Sequence, residues 1–451
     1  MASAAEQLAA NFNFGSIGRA KELRSRIFFT LGALIVARIG TYIPMPGIDP
    51  AALAAQIAQQ GSGLLDVFNT LAGGAVNRMA IFALGIMPYI SASIIIQLMT
   101  TVFPELEALK KEGEAGRKVL NQYTRYFTVA LAIVQAYGIA IGLEHFGGGT
   151  PIVMEPGWFF RIGAVITLTG GTMLLMWIGE QITSRGVGNG ISLLILAGIV
   201  AVLPTTVVQI AALARTGAIS PFSVILIIML AVGFTFAIVF VELSQRRLPV
   251  RYPGRQASGR LFGGESSFLP LKVNTAGVIP PIFASSLLLL PATLMGFLGA
   301  AVPGGAPGWM TNLTAQLQQG RPLFMALYGT LIVFFTFFYT SVVFDPRDTA
   351  DNLRKYGGFL PGIRPGRQTA EYLDQVLGRL TVIGAAYITI VCLVPEGLIG
   401  IYNVPFYLGG TSLLIMVSVT IDLLTQMQSH LVAHQYEGML RKVRLRRTAQ
   451  A

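Results

Sequence analysis

Ten stretches of the chain are apolar for long enough to cross a bilayer: 27–43, 78–102, 123–143, 158–178, 191–213, 221–241, 275–298, 322–344, 377–395 and 406–427. A helix needs about 20 apolar residues to span a bilayer core. Barrel strands would instead alternate polar and apolar positions in shorter runs. The pattern predicts an all-α polytopic membrane protein with ten transmembrane helices. A further apolar piece, 63–72 (GLLDVFNTLA), is too short to cross and reads as a re-entrant or half-inserted helix before the second span.

The second span is not uniformly greasy. Pro88 interrupts it, and Ser91, Ser93 and Gln97 add polar groups. Proline lacks an N–H and crowds the carbonyl four residues back, so a helix through 78–102 is expected to bend at Pro88. The same spacing recurs in the seventh span. Residues 84–95 (LGIMPYISASII) align with 276–287 (AGVIPPIFASSL), matching Gly85 with Gly277, Pro88 with Pro280, Ile90 with Ile282, Ala92 with Ala284 and Ser93 with Ser285. Spans two and seven cross in opposite directions. The repeat therefore predicts two inverted five-helix halves, 27–213 and 214–427, facing each other across a central pathway.

Composition supports this class. Charged residues make up 12% of the 451, against about 25% in soluble globular chains. The net charge of +11 follows from topology. With the N-terminus cytoplasmic, 27 of the 32 Lys and Arg residues fall in segments on that side, as the positive-inside rule requires. An even span count leaves the N-terminal segment 1–26 and the basic tail 428–451 both cytoplasmic. No cleavable signal peptide is expected, and the first span serves as the targeting signal. Two cytoplasmic loops, 245–272 and 345–376, exceed what a connection needs. Both mix Arg, Gly, Pro and aromatics as ordered loops do, so specific work is expected there.

Catalytic chemistry is hard to find. The lone Cys392 permits no disulfide within the chain. His430 and His434 share a helical face, but HLVAH lacks the glutamate of a zinc-protease motif and a third ligand. GVGNG at 186–190 lacks the Lys-Ser/Thr ending of a phosphate loop and reads as a tight turn opening span five. Glu180, Glu242 and Asp422 fall near cytoplasmic span ends, and Arg38 can snorkel to the outer surface. These features predict no cofactor, no metal and no enzymatic activity. What remains is apolar: Ile86 with Ile90, and Ile191 with Ile195, each share one helix face and could form a dewetting constriction. Two readings stay open on the residues alone. One is a passive two-halved pathway. The other is an inverted-repeat secondary transporter for a small solute, which would want charges near the midplane.

Four longer motifs occur in order: ALGIMPYISASIIIQLM (83–99), GEQITSRGVGNGISLL (179–194), LPLKVNTAGVIPPIFASSLLLLP (269–291) and FDPRDTADNLRKYGGFLPGIRPG (344–366). With these, the chain closely resembles the SecY family, pore subunits of the bacterial Sec protein-conducting channel, over nearly its whole length. The long Gly-rich outer loop (299–308) and the Arg-rich tail depart from the pattern. The resemblance implies an hourglass pore with a ring of Ile86, Ile90, Ile191, Ile195, Ile282 and Ile415. It implies a plug at 63–72, carrying Leu64, Leu65, Val67, Phe68 and Asn69. It implies a lateral gate between spans two and seven, with Ser91, Gln97, Ser285 and Leu290. It assigns Arg246, Arg247, Arg251, Arg255 and Arg364 to docking of a motor or ribosome. The partners it implies are SecE and SecG membrane subunits, the SecA motor ATPase, the ribosome, accessory SecDF and YidC, signal sequences of secretory proteins and the lipid bilayer. The location implied is the bacterial inner membrane.

Overall fold

The computed structural model describes residues 21–49, 52–53, 69, 72–145, 152–217, 220–252, 256–257, 260–261, 266–288, 308, 312–313, 316–317, 321–402 and 409–448. Its helices are α1 (Lys21–Gly40), α2 (Met87–Val102), α3 (Pro104–Lys111), α4 (Glu114–His145), α5 (Trp158–Arg185), α6 (Gly190–Arg215), α7 (Pro221–Leu243), α8 (Ile279–Leu288), α9 (Pro322–Val343), α10 (Pro346–Lys355), α11 (Arg367–Tyr402) and α12 (Gly410–Thr448). Among the described residues seven helices are long and apolar enough to cross a membrane. The bent pair α2 and α3, joined at 101°, makes an eighth. Predicted spans one and seven correspond to α1, with charges at Lys21, Glu22, Arg24 and Arg26 in its opening turns, and to α8, described only as far as Leu288. The protein is an all-α polytopic membrane protein.

Along the chain, α4 packs on α2 and α5, and α5 on α1 and α6. On the other side α9 packs on α11, and α12 on α7 and α11. Contact of α12 with α6 and α1 joins the two sets. Small residues allow the close approaches, as expected where lipid replaces water as the solvent. A Cβ on Gly190 would lie 1.9 Å from the Gly179 carbonyl oxygen, and one on Gly410 would lie 1.8 Å from that of Val391. The turn at 186–190 is as the sequence predicts. Gly188 takes φ +90°, and Asn189 caps α6 by accepting from the Ile191 N–H at 3.1 Å.

The second span differs from its prediction. Residues 78–86 are not helical, and α2 begins only at Met87. Met79 (φ +42°) and Gly85 (φ +56°) both take left-handed backbone, which no helix can continue through. The segment pairs instead with the chain after α1. The Met45 N–H donates to the Met79 carbonyl at 2.9 Å, and the Ile81 N–H to that of Ile43 at 3.0 Å. Phe82, 2% exposed, is wedged so tightly that a Cβ on Gly40 would fall 2.0 Å from its ring. Pro88 therefore sits in the first turn of α2, where its missing N–H would have had no helical partner. The bend expected at Pro88 is absent because no helix precedes it. Pro280 and Pro281 occupy the same position at the start of α8.

Among the described residues the loop 245–272 contributes two short two-stranded sheets. Strands β1 (Gln245–Arg251) and β4 (Ser266–Lys272) pair antiparallel, with Gln245 opposite Lys272 and Arg251 opposite Ser266. A shorter pair, β2 (Gln256–Ala257) and β3 (Arg260–Leu261), lies beyond them. Period-two alternation buries Leu248, Val250 and Leu271 against Leu360, Leu373, Val376 and Leu380. The second loop joins through the backbone: Arg251 and Phe359 exchange N–H to carbonyl bonds of 2.9 and 3.0 Å.

Candidate functional site

Two turns of the form Gly-x-x-Pro define the site. Gly85 and Gly277 hold φ +56° and +64°, values that an L side chain rarely adopts. Each is followed within two residues by a helix with proline in its first turn. The residues aligned by the sequence repeat are thus alike in backbone conformation and in place. Behind the first turn the Gly85 N–H donates to the Phe82 carbonyl at 2.9 Å, and Ala72 packs alongside. Behind the second, Asn274 caps the turn from both sides. Its Oδ1 accepts from the Gly277 N–H at 3.0 Å, and its Nδ2 donates to the Gly277 carbonyl at 3.1 Å.

Against the first turn lies a partly open cavity of about 60 Å³, lined mainly by apolar side chains of α1, α2, α5 and α6, with Ile282 of α8. Ile86, Ile90, Ile195 and Ile282 line it directly. All four are 7–8% exposed. Ile415 (1% exposed) and the half-buried Ile191 belong to the same apolar cluster but do not line this cavity. That cluster draws on α1, α2, α5 to α9, α11 and α12, so the isoleucines sit where both helix sets converge.

Of the gate residues, Ser91 is buried on α2, and the Gln97 Nε2 approaches Ser93 Oγ at 3.4 Å, with its Oε1 buried and unpartnered. The Ser285 hydroxyl donates to the Ile282 carbonyl of its own helix at 3.0 Å, as does that of Ser286 at 2.8 Å. Leu290 lies outside the described residues, as do Leu64, Leu65, Val67, Phe68 and Arg255. Asn69 is described and 8% exposed. Its carbonyl accepts from the Gly74 N–H at 2.7 Å and its Oδ1 from the Asn77 N–H at 3.0 Å.

Arg38 has a partner that its sequence context does not announce. It donates to the Gly73 carbonyl and to the Tyr42 hydroxyl, and it lines the cavity. The Gly73 carbonyl lies within its reach beside two successive left-handed glycines, Gly73 (φ +66°) and Gly74 (φ +84°). Arg78 lies over the Tyr42 ring, 4.1 Å from its centroid.

Arg246, Arg247 and Arg251 on the hairpin are exposed, and so is Arg364 on the second loop. Alternation along β1 explains Arg247 and Arg251, which lie opposite the buried Leu248 and Val250, but not Arg246, which shares their face near the start of the strand. Sequence reasoning missed the hairpin, although the apolar positions Leu248 and Val250 in RRLPVR carried its signal. It also missed Glu396. The apolar run predicts a ninth span ending at 395, whereas α11 continues through Pro395 to Tyr402. Glu396 is 6% exposed, with Oε2 unpartnered, and does not line the cavity.

The family model for SecY matches residues 80–424. The chain belongs to the SecY family. The Escherichia coli K12 protein translocase subunit SecY is 52% identical over 425 residues, covering 94% of this chain and 95% of that protein. The SecY of Rickettsia bellii is 50% identical over 437 residues, covering 97% of this chain and all of its own length. Among solved structures, one described as that of a protein conducting channel aligns with TM-score 0.63 at 17% identity, over 90% of this chain and 92% of the other. Canine Sec61 in a ribosome-channel complex aligns with TM-score 0.61 at 17% identity and the same coverage. At such identities these two establish the SecY-type fold, while the closer relatives establish the family.

Proposed function

We propose that the chain is the central subunit of a Sec protein-conducting channel in the bacterial inner membrane, with both termini cytoplasmic. It passes unfolded secretory polypeptides outward and releases transmembrane segments sideways into lipid. One observation carries this reading: Ile86, Ile90, Ile195 and Ile282 converge on one cavity where the repeat-related helices α2 and α8 begin. An isoleucine collar makes no directional bonds, so it can close around any passing sequence and still dewet when empty. Ile191 and Ile415 complete it. The segment 63–72 plugs its outer side.

Sideways release follows from partition. Each strongly apolar residue gains about 0.3–0.6 kcal/mol at the bilayer centre. A 20-residue apolar segment therefore gains roughly 6–12 kcal/mol by leaving between α2 and α8, and a polar segment gains nothing. Ser91, Gln97, Ser285 and Leu290 line that exit. With no ATPase motif in the chain, drive comes from SecA or the ribosome docking on Arg246, Arg247, Arg251, Arg255 and Arg364. SecE and SecG complete the membrane unit, and SecDF and YidC assist it. The solved neighbour in a ribosome-channel complex supports the ribosome as a docking partner.

The test is ion conductance in planar bilayers. Replacing the six isoleucines by a mixture of Gly and Ser should raise the resting leak severalfold. A leak equal to that of the unaltered channel would remove the collar.

A further inference from the structure

The hairpin and the cavity are joined by a buried polar node that the proposed function does not use. Glu242 closes α7, one residue before the helix ends, and is 8% exposed. Its Oε1 accepts from Asn274 Nδ2 at 2.7 Å. Asn274, 3% exposed, follows the last residue of β4 by two and grips both backbone groups of Gly277. Between the two, the hairpin base is closed by the Val273 N–H donating to the Ser244 carbonyl at 3.1 Å. The exit strand has little freedom, since a Cβ on Gly384 of α11 would stand 2.9 Å from the Val273 oxygen. On the far side Ser418 of α12 lies beside the same carboxylate.

Two collar residues hang from this node. Gly277 opens the turn that carries Ile282, and Ser418 lies one helical turn beyond Ile415. A carboxylate buried among helices is retained only where its bonds serve something. We propose that Glu242 and Asn274 form a positioning joint: they fix Ile282 and Ile415 relative to the hairpin, so that a ligand bound to the hairpin moves the collar. This rests on the channel reading above and adds to it the residues that transmit the load.

The joint predicts a separation between docking and opening. The full-length channel, in planar bilayers with its membrane partners, is compared with Asn274→Ala, Glu242→Ala, Glu242→Gln and Lys272→Ala, each with and without ribosomes on the hairpin side. Asn274→Ala and Glu242→Ala should raise the resting conductance about tenfold, the size of an ordinary coupling between sites. They should also abolish any further rise on ribosome addition, while ribosome co-sedimentation stays within about twofold of the unaltered channel, below the usual range of such couplings. Glu242→Gln keeps an acceptor for Asn274 and should behave as unaltered. Lys272→Ala removes the neighbouring exposed pair with Asp422 (3.6 Å) and should do the same. The proposal is overturned if Asn274→Ala and Glu242→Ala conduct like the unaltered channel, or if Glu242→Gln leaks as much as Glu242→Ala. Should Asn274→Ala fail to accumulate, the contrast between Glu242→Ala and Glu242→Gln decides. The isoleucine replacements run alongside. If they leak and the joint variants do not, the joint alone falls; if they do not leak, the channel reading falls with it.

Discussion

Gly85 and Gly277 share a left-handed backbone, a proline three residues on and an isoleucine two residues after that, yet their supports come from different places. The first turn is held by backbone hydrogen bonds and by apolar packing: Phe82 behind it, Ala72 beside it, and α5 pressed so close that a Cβ on Gly171 would fall 2.0 Å from the Ile81 oxygen. The second is held by the Asn274 side chain, itself bonded to Glu242 and rooted in the hairpin. A Cβ on Gly277 would meet nothing within 4 Å. The contrast teaches that a repeat can keep its geometry while dividing labour. The packed turn is a fixed wall, and the turn held by Asn274 is the one that an outside ligand can reach.

That division can be broken experimentally, most severely at the wall. Gly171→Ala should prevent accumulation of folded protein, since the added methyl meets a backbone carbonyl that cannot move aside; normal yield would show the wall to be soft. Arg38→Ala should come next. It removes a charge-assisted bond to Gly73, worth about 1.5–3 kcal/mol in a typical protein site. The expected result is faster protease cleavage within 50–72 and a raised resting leak, and unchanged cleavage would show that Arg38 does not fasten that segment. Gly277→Ala should cost about 1–2 kcal/mol from backbone strain alone, seen as a lower midpoint of thermal unfolding in detergent. A shift as large as that of any surviving Gly171 variant would erase the distinction between the turns. Smallest of all, Pro88→Ala and Pro280→Ala should each change stability by less than about 1 kcal/mol, because a first-turn proline acts mainly through the unfolded chain. A larger loss would restore Pro88 to a helix interior.

Much of this arrangement was legible in the sequence, and the rest was hidden for identifiable reasons. Helix positions followed from apolar run length, and the repeat followed from five matched residues. The start of α2 was not legible because AIFALGI is as apolar as any helix. Only the pairing of 79–81 with 43–45, distant in sequence, shows that it is a turn. The bond from Arg38 to the Gly73 carbonyl is not legible because nothing local in RIGTYIP announces it. The isoleucines at 86 and 90 were legible as one face, but which cavity they share with Ile282 is a tertiary fact. The strands of the hairpin are hard to see in the sequence because Pro249 and Pro270 argue against a strand interior. A two-stranded ribbon tolerates them since each strand has a free edge.

The interior hydroxyls have a mechanical consequence. Thr100, Thr336, Thr340, Thr381, Ser285 and Ser286 all donate to carbonyls of their own helices, three or four residues back. None of these bonds ties one helix to another. A helix that slides or tilts carries its hydrogen bonds with it, as luggage rather than as moorings. Parting α2 from α8 therefore exposes none of these hydroxyls as an orphan to hydrocarbon, where each would cost several kcal/mol. The sides of such an opening can meet water, peptide or lipid in turn without being rebuilt for each.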